Sequence, residues 1–350
     1  MTPSRTHVAG NGRAATLSDV AREAGVSLAT ASRAINGSTN RSVRADLRER
    51  VLEAAARLDY SPNANAQAMA RGRTATLGLI VHDIADPFFS TIAAGVTEAA
   101  DDAGLAVTLA NTHHDAEREL GFIQTLHNLR ARSIILVGGR QDDDDANERL
   151  RDALAGYRER GGTVAMVGQP ILDVSAVHVD NRGASAELAR ALHGLGYRRF
   201  AILGGPERHL TGRERREGFR EALAELGSPV PDDAVVPSEF VRDGGYSAMT
   251  EVLRRELDVE MVFAVNDVMA LGAMTAAREA GVDVPRDIGF AGFDDIYALR
   301  DVTPTLTTVR IDMVDIGRQV TALALTEPEE PGLVTVSGEV VLRESTPGPR

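Results

Sequence analysis

Carboxylate, amide and aromatic side chains follow several short apolar runs of this 350-residue chain. Three such runs are Leu77–Val81, Met261–Val265 and Ile288–Ala291. Runs of this kind are typical of buried parallel strands, and open α/β sheets bind ligands beyond the carboxyl ends of their strands. The side chains that follow these three runs are Asp83, Asp86, Phe88, Phe89, Asn266 and Asp294. They are therefore candidates for binding a small polar molecule.

Residues that often serve catalysis or metal binding are arranged less suggestively. The chain has no cysteine, which excludes disulfides and thiolate metal sites. The HHD sequence at 113–115 places two adjacent histidines in different directions with no further ligand cluster, so we predict no metal site and favour Asn111 or Thr112 for ligand contact. No P-loop, nucleophile elbow or Ser/His/Asp order occurs, and the glycine pairs at 138–139 and 204–205 do not complete G-x-G-x-x-G. We predict neither an enzyme nor a cofactor.

The stretch Thr16–Asn36, TLSDVAREAGVSLATASRAIN, predicts two short helices joined by a tight turn. Thr16 and Asp19 form a capping-box pattern. Gly25 ends the first helix, because a residue without Cβ adopts the left-handed conformation at no steric cost. Ser27 caps the second helix, which is slim and weakly apolar. Such a helix fits the DNA major groove, about 12 Å wide, as the second helix of a helix-turn-helix does.

The second helix is predicted to expose Leu28, Ala29, Ser32 and Arg33. Leu28 and Ala29 select bases by shape and by contact with the thymine methyl group, whereas a bidentate arginine–guanine pair contributes about 1–3 kcal/mol of discrimination. Two alternatives stay open: Arg33 is only a solvated surface charge, and Ser27 is only a cap. A third helix is predicted over about 45–58, with Leu52 among its inward-facing residues.

These segments, together with YSPNANAQAMARGRT at 60–74, resemble the DNA-binding headpiece of the lac-repressor (LacI) family of bacterial transcription factors. The similarity extends more loosely along almost the whole chain. It implies that Leu28, Ala29 and Arg33 read the operator, with Arg33 at the position of a guanine-contacting arginine. The further DNA contacts that it implies are Thr16, Ser27, Ser32, Asn36, Asn63, Ala66 and Met69.

Residues 63–73 correspond to the hinge helix of that family. The segment is too short to form a stable helix alone, because isolated helices below about 12–15 residues are marginal in water. In the family, two copies pair over the minor groove and a leucine wedges between base steps. Met69 holds that position here, and methionine also serves as such a wedge. The alternative interpretation is an ordinary linker.

From Thr74 onward, apolar runs alternate with amphipathic stretches, which predicts parallel sheets covered on both faces. With the resemblance, the predicted fold class is α/β: an N-terminal all-α helix-turn-helix headpiece plus two Rossmann-like lobes of the periplasmic-binding-protein type. The predicted domains are a disordered tail at 1–15, the helix-turn-helix domain at 16–62, the hinge helix at 63–73 and an effector-binding and dimerisation domain at 74–350. Lobe 1 takes about 74–177 plus 307–327, and lobe 2 about 180–303 plus 332–344, with a strand crossing near 328–334.

The resemblance also implies an effector cleft between the lobes. VHDIADPFF looks like the family element (N/D)PFF, Arg215 in GRERREGF aligns with an effector-binding arginine, and Phe240 holds the position of an aromatic wall. Guanidinium, amide and carboxylate groups suit vicinal hydroxyls, and phenyl rings stack on the apolar face of a sugar. The predicted effector site is Asp83, Asp86, Phe88, Phe89, Arg215, Phe240, Asn266 and Asp294.

Simpler structural roles compete with this interpretation. Asn266 and Asp267 form a helix cap in the first alternative, with Asp267 as the expected cap, and Arg215 pairs with Glu214 or Glu217 on a surface helix in the second. Asp294 ends its strand in a turn in a third alternative, and Phe89 belongs to the core in a fourth. Where the family often has an acidic residue after the fourth strand, this chain has Gly168-Gln169, which leaves the identity of the sugar open.

The net charge of −13 is unevenly distributed. Residues 1–73 contain 11 arginines and six acidic residues, a net charge of +5, which leaves −18 for the rest of the chain. A basic headpiece on an acidic body is expected when only one end of a molecule meets phosphate. The chain contains no lysine, which codon bias in a GC-rich genome explains better than function does.

We therefore expect a DNA-binding transcriptional regulator, a repressor controlled by a sugar or sugar derivative. A purine-type corepressor is the alternative effector, and a sugar-binding protein without a DNA role is a weaker alternative. The N-terminal MTPSRTHVAGNGRAA lacks the apolar core of a signal peptide, and no window holds the roughly 18 apolar residues of a membrane helix, so we expect a cytoplasmic protein. The family implies a homodimer on double-stranded operator DNA, and the ending RESTPGPR lacks the leucine-rich helix of its tetrameric member.

Overall fold

A computed structural model describes residues 15–36, 43–60, 73–326 and 330–349. The chain forms two compact units, Met1–Thr74 and Ala75–Arg350. In the first unit the helices are α1 (Leu17–Glu23), α2 (Leu28–Asn36) and α3 (Ala45–Arg57). The predicted tail up to residue 14 and the hinge positions Asn63, Ala66 and Met69 lie outside the described residues.

The three helices of the first unit enclose a core of small apolar side chains. The fully or nearly fully buried residues are Val20, Ala21, Ala24, Ala31, Ala34, Val51 and Ala54. Alanines at these positions allow the helix axes to approach closely, so a short segment still forms a core. Leu52, which we expected to face inward, is 47% exposed, because α3 turns the smaller Ala54 towards the core instead.

Strands and helices alternate through the second unit. The strands are β1 (Thr76–Val81), β2 (Ala106–Asn111), β3 (Ser133–Val137), β4 (Thr163–Val167), β5 (Ser175–Val179), β6 (Phe200–Gly204), β7 (Val235–Pro237), β8 (Met261–Ala264), β9 (Gly289–Ala291), β10 (Thr308–Arg310), β11 (Leu333–Val336) and β12 (Glu339–Val341). The helices are α4 (Pro87–Asp102), α5 (Ala116–Asn128), α6 (Asp144–Glu159), α7 (Asn181–Gly194), α8 (Leu210–Glu225), α9 (Arg242–Arg254), α10 (Asp267–Glu279) and α11 (Met313–Thr326). Short 3₁₀ helices lie at Asp232–Ala234 and Tyr297–Arg300.

Two parallel sheets define two lobes within this unit. Lobe 1 contains six strands in the order β11-β5-β4-β3-β1-β2, and lobe 2 contains four in the order β7-β6-β8-β9. Strands β10 and β12 pair antiparallel as a separate ribbon. The carboxyl ends of β1, β2 and β3 in lobe 1 and of β6, β7, β8 and β9 in lobe 2 lead to the residues that line the cleft described below.

The last strands divide between the lobes differently from our expectation. Residues 332–344 were predicted to belong to lobe 2, with a crossing near 328–334, but β11 pairs with β5 in the lobe 1 sheet. The chain leaves that sheet only after Val336. Strand β11 is an edge strand whose side chains alternate between exposed and half-buried, so its own sequence gives little indication of which sheet it joins. Among the described residues, no helix is long and apolar enough to cross a membrane.

Candidate DNA-binding helix and effector cleft

Helix α2 presents its N-terminal end outward. The Ser27 hydroxyl accepts a hydrogen bond from the Thr30 main-chain N–H at 3.1 Å and caps the helix. Leu28 is 52% exposed and Ala29 is also exposed, whereas Ala31 and Ala34 are buried in the helical core. The first turn of α2 therefore presents two apolar side chains to solvent, and neither of them belongs to the core of the unit.

Arg33 is less exposed than we expected. Both Arg33 and Ser32 are half-buried rather than fully exposed. One long hydrogen bond of 3.5 Å joins Arg33 Nη2 to the Thr30 hydroxyl. Its Nε is buried and has no hydrogen-bond partner within the described part of the chain.

Two of the predicted phosphate contacts of this unit, Thr16 and Ser27, also cap helices. The Thr16 hydroxyl accepts from Asp19 N at 3.3 Å, and the Asp19 carboxylate accepts from Thr16 N at 3.0 Å, which is the predicted capping box. Asn36 is the last residue of α2. Phosphate contact by Thr16, Ser27, Ser32 and Asn36 stays a prediction.

In the second unit, seven of the eight predicted effector residues line one cavity between the lobes. They are Asp86, Phe88, Phe89, Arg215, Phe240, Asn266 and Asp294. The exception is Asp83, whose carboxylate turns back to accept a hydrogen bond from Ala85 N at 3.0 Å, while Asp86 caps α4. Phe89 is buried as well as cavity-lining, so the alternatives of core and cleft both describe it.

Arg215 is buried and held from three sides. Its Nε donates to the Asn181 side chain at 2.9 Å, Nη1 to the Val265 carbonyl at 2.8 Å, and Nη2 to the Asp294 carboxylate at 2.9 Å. The guanidinium carbon also lies 3.7 Å from the centre of the Phe293 ring. Because guanidinium has five N–H groups, two remain for a ligand.

The alternative in which Arg215 pairs on a surface helix is wrong. Glu217 instead accepts from Arg182 at 2.8 Å, and Glu214 accepts from Asn181 at 2.8 Å. Arg215 lies on the face of α8 that packs inward, since it is only 2% exposed.

Two buried carboxyls, Asp294 and Asp267, lie in lobe 2, and Asp294 pairs with Arg215. Burial raises the pKa of Asp294 to about 6, although Arg215 opposes the shift. Asp294 also has a φ of +119°, a strained conformation for a residue with a Cβ, and strain of this kind often marks binding sites. Burial raises the pKa of Asp267 to about 8, and the nearby Asp294 adds to the shift.

The expected helix cap at this point was assigned to the wrong residue. Asn266, not Asp267, caps α10, since its side-chain oxygen accepts from Met269 N at 2.9 Å. Asp267 turns inward and accepts from Ile296 N at 3.0 Å and from the Thr308 hydroxyl at 2.7 Å. Asn266 therefore serves both as a cap and as part of the cavity wall.

Four lining residues were not predicted: His114, Gly139, His209 and Thr211. His209 caps α8, accepting from Gly212 N at 3.3 Å, and its ring centre lies 4.5 Å from that of Phe240. Burial lowers the pKa of His209 to about 3, so the ring is neutral at physiological pH. The sequence feature that could have identified His209 is its position immediately before α8, at the start of a helix that follows a strand.

His114 lines the cavity where we favoured Asn111 or Thr112. Neither the buried Thr112 nor Asn111, the last residue of β2, lines the cavity. The main chain has a φ of +61° at His114, and this turn brings its ring centre to 4.7 Å from that of His82.

The lobes touch through main-chain and side-chain hydrogen bonds. Leu210 N donates to the Arg140 carbonyl at 2.9 Å, and Asp142 N donates to the Arg208 carbonyl at 2.7 Å. The Gln169 amide donates to Thr211 at 3.1 Å and to the Glu214 carboxylate at 3.0 Å, a pair of bonds that an acidic residue cannot donate. The cavity between the lobes measures about 40 Å³, well below the volumes of about 300–1,000 Å³ that are typical of ligand pockets.

A helix-turn-helix unit followed by a two-lobed domain with a polar and aromatic cleft defines a class: ligand-controlled transcriptional regulators. Residues 16–63 match the family described as bacterial regulatory proteins, lacI family. Residues 74–325 match the periplasmic binding proteins and sugar binding domain of the LacI family. The chain belongs to the LacI family, which consists of DNA-binding regulators rather than enzymes, and the predicted family and fold class are confirmed.

Several regulators are similar along nearly the whole chain. The HTH-type transcriptional regulator GalR of Escherichia coli (strain K12) is 35% identical over 313 residues, covering 89% of this chain and 88% of that protein. The regulator CelR of Thermobifida fusca is 33% identical over 344 residues, covering 95% and 98%. A solved CelR–cellobiose complex has a TM-score of 0.68 at 32% identity, covering 95% of this chain and 99% of that one. The lac repressor dimer bound to operator and the anti-inducer ONPF shares the fold, with a TM-score of 0.81 at 24% identity and coverage of 95% and 99%.

Proposed function

We propose that this protein is a cytoplasmic repressor that binds operator DNA as a homodimer and is released by a neutral sugar bound between its lobes. The observation that carries the proposal is the cavity in which the Arg215–Asp294 pair and Asn266 face the half-buried rings of Phe88 and Phe240. Polar groups at one end and aromatic rings at the side suit a molecule with hydroxyls on its edge and an apolar face.

The first turn of α2 is the proposed base-reading surface. Leu28 and Ala29 are exposed there, and the half-buried Arg33, in the next turn, is assigned to a guanine edge. The remaining candidates, Thr16, Ser27, Ser32 and Asn36, would position the helix on phosphates. A single helix-turn-helix unit contacts only a small area of DNA. A homodimer that binds a near-palindromic operator doubles this contact area, because each unit reads one half-site.

The charges of the cleft favour an uncharged effector. Asp86 and Asp294 both line the cavity, against the single cation Arg215. Burial raises the pKa of Asp86 as well as that of Asp294, which means that additional negative charge is disfavoured there. A sugar phosphate would add such charge, whereas a free sugar would not. The related regulator CelR has been solved in complex with cellobiose, which is a neutral sugar.

Two variants of the full chain separate the two proposed sites. Arg33→Ala should weaken binding to the cognate promoter fragment by about 1–3 kcal/mol, while binding to unrelated DNA changes little, because a base contact and not a phosphate contact is removed. Arg215→Lys should leave DNA affinity intact but weaken the response to sugar, because lysine cannot reproduce the fork that meets Asn181 and Asp294. Footprinting on promoters next to the gene, with and without sugars, measures both.

Thermal unfolding of each variant serves as the control for folding. Equal loss of cognate and unrelated DNA binding in Arg33→Ala would contradict base reading by this residue. Release by a purine and not by any sugar would replace the sugar effector with the purine-type alternative.

A further inference from the structure

A continuous series of hydrogen bonds connects lobe 1 to the effector cavity through residues that do not line it. Its members, in order, are Gln169, Glu214, Asn181, Arg215 and Asp294. Arg215 and Asp294 line the cavity, whereas the first three residues do not. Gln169, which follows β4, is the member of this series that belongs to lobe 1.

Gln169 is held by lobe 1 at its side-chain oxygen and by lobe 2 at its side-chain nitrogen. The oxygen accepts from Arg140 N at 2.8 Å in a buried hydrogen bond. Because a main-chain N–H only donates, the amide nitrogen points away from Arg140 and towards lobe 2. There it donates to the Thr211 hydroxyl at 3.1 Å and to Glu214 Oε2 at 3.0 Å. Gln169 is 4% exposed, so water has little access to these bonds.

The Glu214 carboxylate accepts from both lobes on one oxygen. Besides the bond from Gln169, its Oε2 accepts from Asn181 Nδ2 of lobe 2 at 2.8 Å. The residue is half-buried, and within the described part of the chain its carboxylate forms no ion pair. Loss of either amide therefore leaves a partly buried charge short of a donor, which costs more than the bond itself contributes.

Asn181 connects Glu214 to the guanidinium of Arg215. It is the first residue of α7 and is 3% exposed. Its nitrogen donates to Glu214, so its oxygen faces Arg215 Nε, which donates to it at 2.9 Å. With the amide turned the other way, an N–H group would face an N–H group. Glu214 therefore decides which end of Asn181 meets Arg215.

We propose that Gln169, Glu214 and Asn181 form a hydrogen-bonded relay that holds Arg215 in place for the effector only when the lobes are closed. Gln169 and Glu214 are thus positioning residues, and neither touches the effector. The inference rests on the proposed function, in which Arg215 binds a sugar. Opening of the lobes separates Gln169 from Glu214 and leaves Arg215 less firmly held, so effector binding and lobe closure are coupled.

The chemistry of the pair explains the amide after the fourth strand. A carboxylate at position 169 would still accept from Arg140 N, but its second oxygen would face the Glu214 carboxylate. Two carboxylates that share one site repel each other, and the pKa of one of them rises. Gln169→Glu, which hardly changes the size of the side chain, therefore breaks the relay at a single bond.

Calorimetric titration of the full chain measures the effect of Gln169→Glu. D-Glucose, D-galactose, D-ribose and cellobiose are screened on wild type, and the sugar that binds is the probe. At pH 8 the variant should bind it about tenfold more weakly, because repulsion replaces a hydrogen bond to a charged group. Relative to wild type, the loss should shrink to about threefold at pH 5, where one carboxyl takes up a proton and donates to the other.

A second substitution separates the relay from a general loss of packing. Glu214→Gln removes the charge but keeps an oxygen that accepts from Asn181, so alone it should weaken sugar binding by no more than about threefold. At pH 8, Gln169→Glu/Glu214→Gln should bind the sugar about fivefold more tightly than Gln169→Glu, because the pair of like charges is gone. Gln124→Glu, at an exposed position of α5, makes the same change of charge and should leave the affinity unchanged at both pH values.

Thermal unfolding of each variant is the control for folding. If Gln169→Glu does not fold, the uncharged Gln169→Met takes its place. It removes both donors and should bind the sugar about tenfold more weakly, and Glu214→Gln should relieve that loss too, because a charge without its donor is then absent.

Sugar affinity of the Gln169 variant equal to that of wild type at pH 8 would overturn the relay and leave the sugar-responsive repressor intact. A loss that Glu214→Gln does not relieve would also overturn it, because Glu214 would then not be the group through which Gln169 acts. A loss in Gln169→Glu that is the same at pH 5 and pH 8 would have the same meaning. If none of the four sugars binds wild type, the proposed sugar effector and the relay both fall.

Discussion

Asp267 is a carboxyl whose surroundings favour its protonated form. It is fully buried, and burial raises its pKa from 3.8 to about 8. Because the folded pKa lies above the unfolded one, this group stabilises the fold fully below about pH 4, and the contribution is lost as the pH rises through about 8. Alkaline pH should therefore destabilise the second unit through this residue.

Asp267→Asn removes the titration without removing the hydrogen bonds. The amide oxygen can accept from Ile296 N, and the amide nitrogen can donate to the Thr308 hydroxyl. We expect the free energy of unfolding of wild type, relative to that of Asp267→Asn, to fall by up to about 1.4 kcal/mol per pH unit between the unfolded pKa of 3.8 and the folded pKa of about 8, and the difference to level off above pH 8. Denaturant unfolding at pH 6, 7, 8 and 9 measures the difference.

Asp101→Asn, at an exposed position near the end of α4, is the matched control and should follow the wild-type dependence on pH. A constant difference between Asp267→Asn and wild type across the whole range would show that the buried carboxyl does not titrate there.

At the scale of single residues, the sequence identified the neighbourhood of the cleft better than the role of each side chain. Asp83 and Asp86 stand on either side of the same turn, and only the backbone conformation decides that Asp86 caps α4 and lines the cavity. Asn266 caps α10 in place of Asp267 for the same reason, and it keeps its predicted place in the cavity wall. His209 was missed because its importance comes from Phe240, which is 31 positions away in the chain and is brought close only by tertiary packing.

The turn after β3 brings one lobe against the other at a glycine. A Cβ on Gly139 would lie 2.3 Å from the Thr211 hydroxyl and 3.0 Å from His209 Nε2. Both atoms belong to the opposite lobe, at the start of α8, so only a residue without a side chain permits this closeness of the lobes. No positive φ constrains this position, which means that alanine is excluded by contact rather than by backbone strain.

Gly139→Ala should hold the lobes apart and weaken sugar binding by more than tenfold, while the unfolding temperature changes by only a few degrees. Titration with the sugar that binds wild type and small-angle scattering with that sugar at saturation measure affinity and lobe closure. The control is Gly121→Ala in α5, where a Cβ meets no atom within 4 Å. Alanine there should leave affinity unchanged and stabilise the helix by up to about 1 kcal/mol. Unaltered sugar affinity in Gly139→Ala would show that closure does not require this contact.

At the scale of elements, the sequence predicted the central strands and missed several at the margins. The strands β1, β3 and β8 are buried and consist of continuous apolar runs, so their composition alone predicts them. Strands β7, β10 and β12 have only three residues each and exist because a neighbour pairs with them. The pairing of β11 with β5 could likewise not be predicted from the sequence, since β5 lies more than 150 positions earlier in the chain.

At the scale of the whole molecule, the uneven charge and the family together imply two headpieces on one DNA site. The basic N-terminal 73 residues are attracted to phosphate, whereas the acidic remainder is repelled by it, so only the headpieces approach the duplex. A homodimer with two-fold symmetry then reads two half-sites related by the same symmetry. The geometry of the operator thus becomes a test of the assembly.

Inserting 5 bp at the centre of the footprinted operator should weaken binding by more than 100-fold. Half a helical turn, out of about 10–10.5 bp per turn, moves the second half-site to the opposite face of the duplex, where the second headpiece of the same dimer does not reach it. An operator with the same 5 bp inserted outside both half-sites keeps its length and should bind like wild type. Gel-shift titration at a fixed salt concentration is required, because phosphate contacts make every affinity depend on salt. If the central insertion binds as tightly as the control, each headpiece reads its half-site independently, and the homodimer is not the unit that recognises DNA.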